Sequence, residues 1–150
     1  MVSLLARELA DADFPTVGLD HDAAAAARLL AERRLPGLVV LDVDGLPHSV
    51  LPGSQVLRFI IPGYVQDDPM LARVYDERHA DALTGKLAGT LVRTLLRVER
   101  TEPPVVDGRS TTAEIAAVMA RLHSPLVAVV EHGRYLGVVT VSRLLERMLP

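Results

Sequence analysis

Cysteine and tryptophan are both absent from these 150 residues, and only three tyrosines and two phenylalanines occur. Without cysteine there can be no disulfide, no thiolate zinc site and no cysteine nucleophile, which fits a reducing compartment. With so few aromatic rings, the chain has no stacking platform for single-stranded nucleic acid, and its core must be built from Ala, Val and Leu. A dominant charge is lacking too. Lys and Arg total 16 against 19 Asp and Glu, for a net charge of −3. The arginines are scattered, so no basic stripe marks a nucleic-acid or membrane surface. No apolar run approaches the roughly 20 residues of a membrane span. Residues 1–8 have neither a positive n-region nor a long apolar stretch, so they do not read as a signal peptide. Hydrophobic residues make up 49% of the chain, too many for disorder. These absences predict a soluble cytoplasmic protein with no nucleic-acid partner and no membrane insertion.

What the chain does have is a repeat. Residues 15–62 laid over 103–150, an offset of 88 with no gap, bring Pro15 onto Pro103, Val17 onto Val105 and Ala25 onto Ala113. They also bring Arg33 onto Arg121, Leu38-Val39 onto Leu126-Val127, and Gly45 onto Gly133. Val50, Ser54, Leu57 and Pro62 fall on Val138, Ser142, Leu145 and Pro150. Residue class and order agree as well. Each copy reads as a Pro-led strand, a helix, an apolar run, a Gly turn, a second apolar run and a closing amphipathic helix. Two copies of one unit predict a pseudo-symmetric module with a cleft between equivalent surfaces.

Local signals fill in the elements. Ser3 can cap a short helix over 4–10. Asp20 or Asp22 can cap a helix over 23–34, which Pro36-Gly37 ends. Leu38 to Leu41 reads as a buried strand, and Asp44-Gly45 turns it back antiparallel, with 38–43 paired to 46–51. In the second copy Thr111-x-x-Glu114 is a capping box. Ile115, Val118, Met119 and Leu122 then form one buried stripe, and Ser124-Pro125 stops the helix. Strands at 126–130 and 135–139 flank the second turn. The closing helices carry Val56, Leu57, Ile60 and Ile61, and Leu144, Leu145, Met148 and Leu149. Between the copies, Asp68-Pro69 predicts a helix over 69–84 lying outside both units, and Gly89-Thr90 opens a short helix through Leu96.

Two motifs with catalytic associations give way to simpler readings. Val40-Leu41-Asp42-Val43-Asp44-Gly45 resembles the nucleophile motif of haloacid-dehalogenase-like phosphatases. Here Leu46-Pro47 follows it, and it lies in a hairpin, so the turn reading is preferred. His21-Asp22 could suggest a metal pair, but the histidines at 21, 48, 79, 123 and 132 show no ligand spacing, and a capping dipeptide is the simpler reading. No catalytic residue, metal site or resident cofactor is expected, and the chain is read as non-enzymatic.

The repeated unit resembles a cystathionine-β-synthase (CBS) domain, and the pair resembles a Bateman module. In the first copy the resemblance rests on Thr16-Val17, the helix that follows and the run from Leu35 to Gly45. In the second it rests on Val105-Val106, the 111–122 helix and Gly137-Val138-Val139-Thr140-Val141-Ser142-Arg143-Leu144-Leu145. It implies an α+β fold of two β-α-β-β-α units with pseudo-twofold symmetry, divided as 1–66, a helical bridge 67–88, and 89–150. It further implies disc-like homodimers, for which the apolar closing helices also argue. Two clefts would take AMP, ADP or ATP as regulatory ligands. The module would signal to a separately encoded enzyme or transporter; the rival reading is a dimeric adaptor that binds no ligand.

The family's nucleotide signature, Gly-h-h-Thr/Ser-x-x-Asp/Asn, falls on Gly137, Thr140 and Arg143 in the second copy and on Ser49, Pro52 and Gln55 in the first. Arginine thus replaces the ribose-gripping acid in one copy and glutamine in the other, and Pro52 has no hydroxyl to offer. His123, Ser124 and Pro125 match a segment that borders the adenine in the family. The resemblance therefore marks Thr140, Arg143, Gly137, His123, Ser124, Pro125 and Gln55 as the ligand-binding candidates. It favours the second cleft and a phosphate-rich ligand.

Overall fold

A computed structural model describes residues 4–74, 77–96 and 102–150. It contains two three-stranded sheets. In the first, β1 (Thr16–Gly18) lies parallel to β2 (Gly37–Leu41), which pairs antiparallel with β3 (Pro47–Pro52). In the second, β4 (Val105–Asp107) lies parallel to β5 (Leu126–Glu131), which pairs antiparallel with β6 (Arg134–Thr140). Helices α2 (Ala23–Glu32) and α7 (Thr112–Leu122) make the parallel crossovers, and α3 (Gly53–Ile60) and α8 (Val141–Met148) close the units. Each repeat is thus a β-α-β-β-α unit. Among the described residues no helix is long and apolar enough to cross a membrane.

Capping chemistry places the crossovers. The Asp22 carboxylate accepts the Ala25 N–H at 3.1 Å, so Asp22, not Asp20, starts α2. Thr111 Oγ1 accepts the Glu114 N–H at 3.2 Å, and Glu114 Oε1 accepts the Thr111 N–H at 3.4 Å, the reciprocal bonds of a capping box. Both helices end on a non-glycine residue in the left-handed region, Arg34 (φ 52) and His123 (φ 51).

The gapless offset of 88 does not survive. Asp22 and Thr111, the two caps, lie 89 apart, as do Arg34 and His123. Side-chain facing settles the register. Leu38 and Val40 face the helices of the first unit, and Val127 and Val129 face those of the second. Val39, Leu126 and Ala128 instead pack in the layer between the sheets. Leu38 is therefore equivalent to Val127, not Leu126, because a one-residue slip moves a strand side chain to the opposite face. The difference is absorbed in the hairpins. Residues 43–45 turn the first, inside a bond from Asp42 N to Leu46 O at 2.8 Å. Only His132 (φ 54) and Gly133 (φ 72) turn the second, the paired positive φ values of a two-residue type I′ turn. From β3 and β6 onward the offset returns to 88.

Two helices cross between the units. Helix α1 (Ala6–Leu9) precedes β1, yet Ala6 and Leu9 are buried in the core of the second unit with Val106, Ile115 and Val129. Helix α6 (Val92–Leu95) precedes β4, yet Val92 and Leu95 are buried in the first core with Val17, Leu30 and Val56. Core membership therefore does not follow chain order. Ser3, the expected cap of the first helix, lies outside the described residues; Glu8 Oε1 accepts the Leu5 N–H there instead.

The expected single helix over 69–84 is replaced by a 3₁₀ turn at Pro69–Val74 and α5 (Glu77–Thr84). The short helix α4 (Gly63–Asp67) precedes them and a second 3₁₀ turn at Gly85–Leu87 follows. Residues 75–76, inside the expected helix, and the side chain of His79 lie outside the described residues. Nor does this segment stay outside both units, because Leu83 packs against the first core and Leu87 is buried in it. The closing helices split their apolar residues: Val56, Ile60 and Leu144 point inward, whereas Leu57, Leu145, Met148 and Leu149 are 60%, 46%, 49% and 63% exposed.

Candidate functional site

Antiparallel pairing builds the site. Because Leu126 pairs with Thr140, the chain entering β5 lies beside the chain leaving β6. Thr140 caps α8, its hydroxyl accepting the Arg143 N–H at 3.2 Å. The Pro125 carbonyl accepts the Val141 N–H at 3.1 Å, and the Ser124 hydroxyl donates to the Leu126 carbonyl at 2.6 Å. His123, at the left-handed end of α7, turns the chain into this junction. Five of the candidates, His123, Ser124, Pro125, Thr140 and Arg143, are thus gathered where α7 ends and α8 begins. The Arg143 side chain is 43% exposed, and its Nη1 stands 3.8 Å from Glu146 Oε2. The Val141 and Arg143 amides are engaged within the junction, so an anion there would meet the exposed guanidinium, the Thr140 hydroxyl and the positive end of α8.

Gly137 is placed differently. It sits at a bulge where Val129 pairs with Gly137 but Val130 pairs with Tyr135. Its φ of 149° is one that side-chain-bearing residues rarely adopt. The main chain of Asp11 and Ala12 lies where a Cβ would project, and Asp11 bonds Val138 in both directions at 2.8 and 3.1 Å. The glycine accommodates the chain's own N-terminal segment.

The first copy offers less. Pro52 makes no side-chain cap, and the Gly53 N–H reaches the Pro36 carbonyl at 3.4 Å. Gln55 Nε2 donates to the Leu95 carbonyl at 3.1 Å, tying α3 to α6. The structure thus sets Gln55, like Gly137, apart from the five candidates at the junction of α7 and α8.

The motifs set aside have structural roles. Asp42 Oδ1 accepts the N–H groups of Asp44 and Leu46 at 2.8 and 3.1 Å, holding the hairpin turn. Among the described residues no group of three or more His, Cys, Asp or Glu could hold a metal ion. A cavity of about 350 Å³ runs between β1 and α2, from Thr16 to Glu32, and is lined by none of the candidates.

Sequence reasoning missed Asp11 and Tyr135. No local pattern points to Asp11, which reaches the site only through the fold. Tyr135 packs between the sheets near Phe14, Leu41 and Val50, and its buried hydroxyl has no hydrogen-bond partner among the described residues. Burial, and then the Asp11 carboxylate, push its pKa up to about 12. Folding therefore favours the neutral phenol. The stability this gives is complete below the unfolded value near 10 and is lost as pH rises from there to about 12. Replacing an unsatisfied buried hydroxyl by hydrogen removes a penalty of about 1–3 kcal/mol. Tyr135→Phe should accordingly raise the melting temperature at neutral pH and remove the alkaline loss between pH 10 and 12. A lower melting temperature at neutral pH would show that the hydroxyl is satisfied.

Comparison with known proteins adds a family. The profile of the CBS domain matches residues 92–150. Among solved structures, a CBS domain-containing protein of unknown function from Kribbella flavida is 55% identical, covering 99% of this chain and 100% of its own, with a TM-score of 0.83. The CBS domain of a CBS domain containing membrane protein from Sphaerobacter thermophilus is 21% identical, covering 98% of this chain and 89% of its own, with a TM-score of 0.71. The CBS-pair protein CBSX2 from Arabidopsis thaliana, in complex with AMP, is 17% identical, covering 97% and 96%, with a TM-score of 0.68. A search of curated proteins finds no match.

Proposed function

The chain belongs to the CBS-domain family, and from that premise we propose that it is a regulatory module. It binds an adenine nucleotide or a related phosphate-bearing anion at the second copy and signals to a partner through dimer geometry. The observation that carries this reading is the junction at the start of α8, where Thr140 caps the helix and Arg143 leaves an exposed guanidinium in its first turn. CBSX2, with AMP bound, is a precedent for the ligand class. The first copy is the poorer site, because Pro52 has no hydroxyl and Gln55 is already engaged by Leu95. Catalysis forms no part of this reading. Ligand would act by shifting the balance between two packings of the module, to an extent set by its difference in affinity for them.

Calorimetry with AMP, ADP and ATP tests it. Heat of binding that weakens with added salt is expected, since the contact is between exposed charges. The substitutions at both acid positions and the Gln55–Leu95 bond favour the adaptor reading, and absence of heat with all three nucleotides would select it.

The dimer is a separate expectation. Leu57, Leu145, Met148 and Leu149 give α3 and α8 an outward apolar face, of the kind that marks association surfaces. Light scattering at micromolar concentration should return twice the chain mass of 16.2 kDa. A monomeric mass would count against both readings, since each acts as a dimer.

A further inference from the structure

We infer that α1 and α6 form a reciprocal clasp, so that each sheet depends for its stability on a helix supplied by the lead-in of the other unit. The contacts repeat in detail. The Ala6 and Arg7 N–H groups donate to the Ser110 and Gly108 carbonyls at 2.8 and 2.9 Å. The Val92 and Arg93 N–H groups, 86 residues on, donate to the His21 and Leu19 carbonyls, both at 2.9 Å. Leu5 makes a bridge to Thr111, and Leu91 makes the matching bridge to Asp22, so each clasp meets the cap of the opposite crossover helix. Arginine follows in both copies: Arg7 Nη1 lies 3.0 Å from Glu131 Oε1, and Arg93 Nη2 lies 2.6 Å from Asp20 Oδ1. Leu9 and Leu95, again 86 apart, are 2% and 1% exposed. Two short helices with the same donors, the same bridge and the same arginine are one device used twice. The family profile begins at Val92 and so counts α6 with the second copy, although its side chains complete the first core.

Each clasp also ends at a signature position. The Leu95 carbonyl receives the Gln55 amide, and Asp11, which follows α1, covers Gly137. A displacement at Gly137 would reach β1 through Asp11 and residues 12–15. On the ligand reading above, on which this last step alone rests, occupancy of one cleft is felt by the opposite sheet.

Hydrogen exchange on the full-length protein without ligand tests the clasp independently of any nucleotide. In Leu9→Ala, exchange of protected amides in β4–β6 should rise at least about thirtyfold, the low end for truncating a buried leucine. In Leu95→Ala the same rise should appear in β1–β3. Loss of protection confined to β1–β3 in Leu9→Ala, or to β4–β6 in Leu95→Ala, would overturn the inference, because that is the result if each unit stands on its own chain segment. Should either variant fail to fold, Arg7→Gln and Arg93→Gln give the same reading more gently. Faster exchange is expected around Gly108 in the first and around His21 in the second, and unchanged rates at those loops would refute the clasp.

Discussion

Gly137→Ala is expected to destabilise the protein by about 2–5 kcal/mol, from a sparsely populated backbone conformation and from overpacking together. The residue holds a φ of 149°. A Cβ there would lie 2.5 Å from the Asp11 oxygen, 2.6 Å from its carbonyl carbon and 2.8 Å from the Ala12 nitrogen. These are backbone atoms and cannot rotate aside as a long side chain would. Asp11 is moreover fixed by its two bonds to Val138. Gly45→Ala is the control. Its φ is 77° but nothing lies within 4 Å of its Cβ position, so only the left-handed backbone penalty of about 1–2 kcal/mol applies. Chemical denaturation of the two variants should separate them. Equal losses would mean that the segment at Asp11 yields easily and that Gly137 is not held by it.

Arg143→Ala should weaken nucleotide binding by roughly ten- to a hundredfold, the equivalent of losing a charge-assisted hydrogen bond of about 1.5–3 kcal/mol. Its pairing with Glu146 is long and exposed and opposes this only slightly. Arg143→Lys should recover part of the affinity, since the charge remains but the planar fork that grips phosphate is gone. Gln55→Ala, in the other copy, should change binding far less. Titration calorimetry at low and moderate salt distinguishes these cases. An affinity unchanged in Arg143→Ala would remove the argument for an anion site at α8.

The architecture was legible where the signal is local. The box at Thr111 and Glu114 and the carboxylate of Asp22 act within a few residues, and each does what its spacing predicts. Asp44-Gly45 does turn the chain, but Val43 joins the turn, so the expected pairing of 43 with 46 does not form and the register shifts at Val40 and Leu41. The register was not legible. In a chain so rich in Ala, Leu and Val, the match of Leu38-Val39 to Leu126-Val127 looks like homology, yet it sets residues from opposite sheet faces against each other. A turn one residue longer hides this from any gapless comparison. The crossing of α1 and α6 was equally hidden, because an apolar stripe says that a helix is covered and not by which sheet.

The same division holds at the candidate site. Thr140 announces itself as a helix cap through its position before Val141, and the segment from His123 to Pro125 through the stop that proline imposes. That Gln55 would be taken up by Leu95, and Gly137 by Asp11, depends on contacts between distant parts of the chain. The bridge shows a further limit. Asp68-Pro69 marks a helical start correctly, and Asp68 Oδ1 accepts the Met70 N–H at 3.2 Å, but the helix it opens is a short 3₁₀ turn.

The crossing of α1 and α6 also bears on ancestry. A chain of half this length, holding one lead-in helix and one β-α-β-β-α unit, would have its helix on the wrong side of the pseudo-twofold axis to cover its own sheet. Two such chains would cover each other, each lending its helix across a true twofold. Joined end to end after duplication, they would give the arrangement seen here, with the loan made within one polypeptide. The changes of offset, from 86 to 89 and then to 88, would then be length differences of three residues and of one that arose after the halves ceased to be identical.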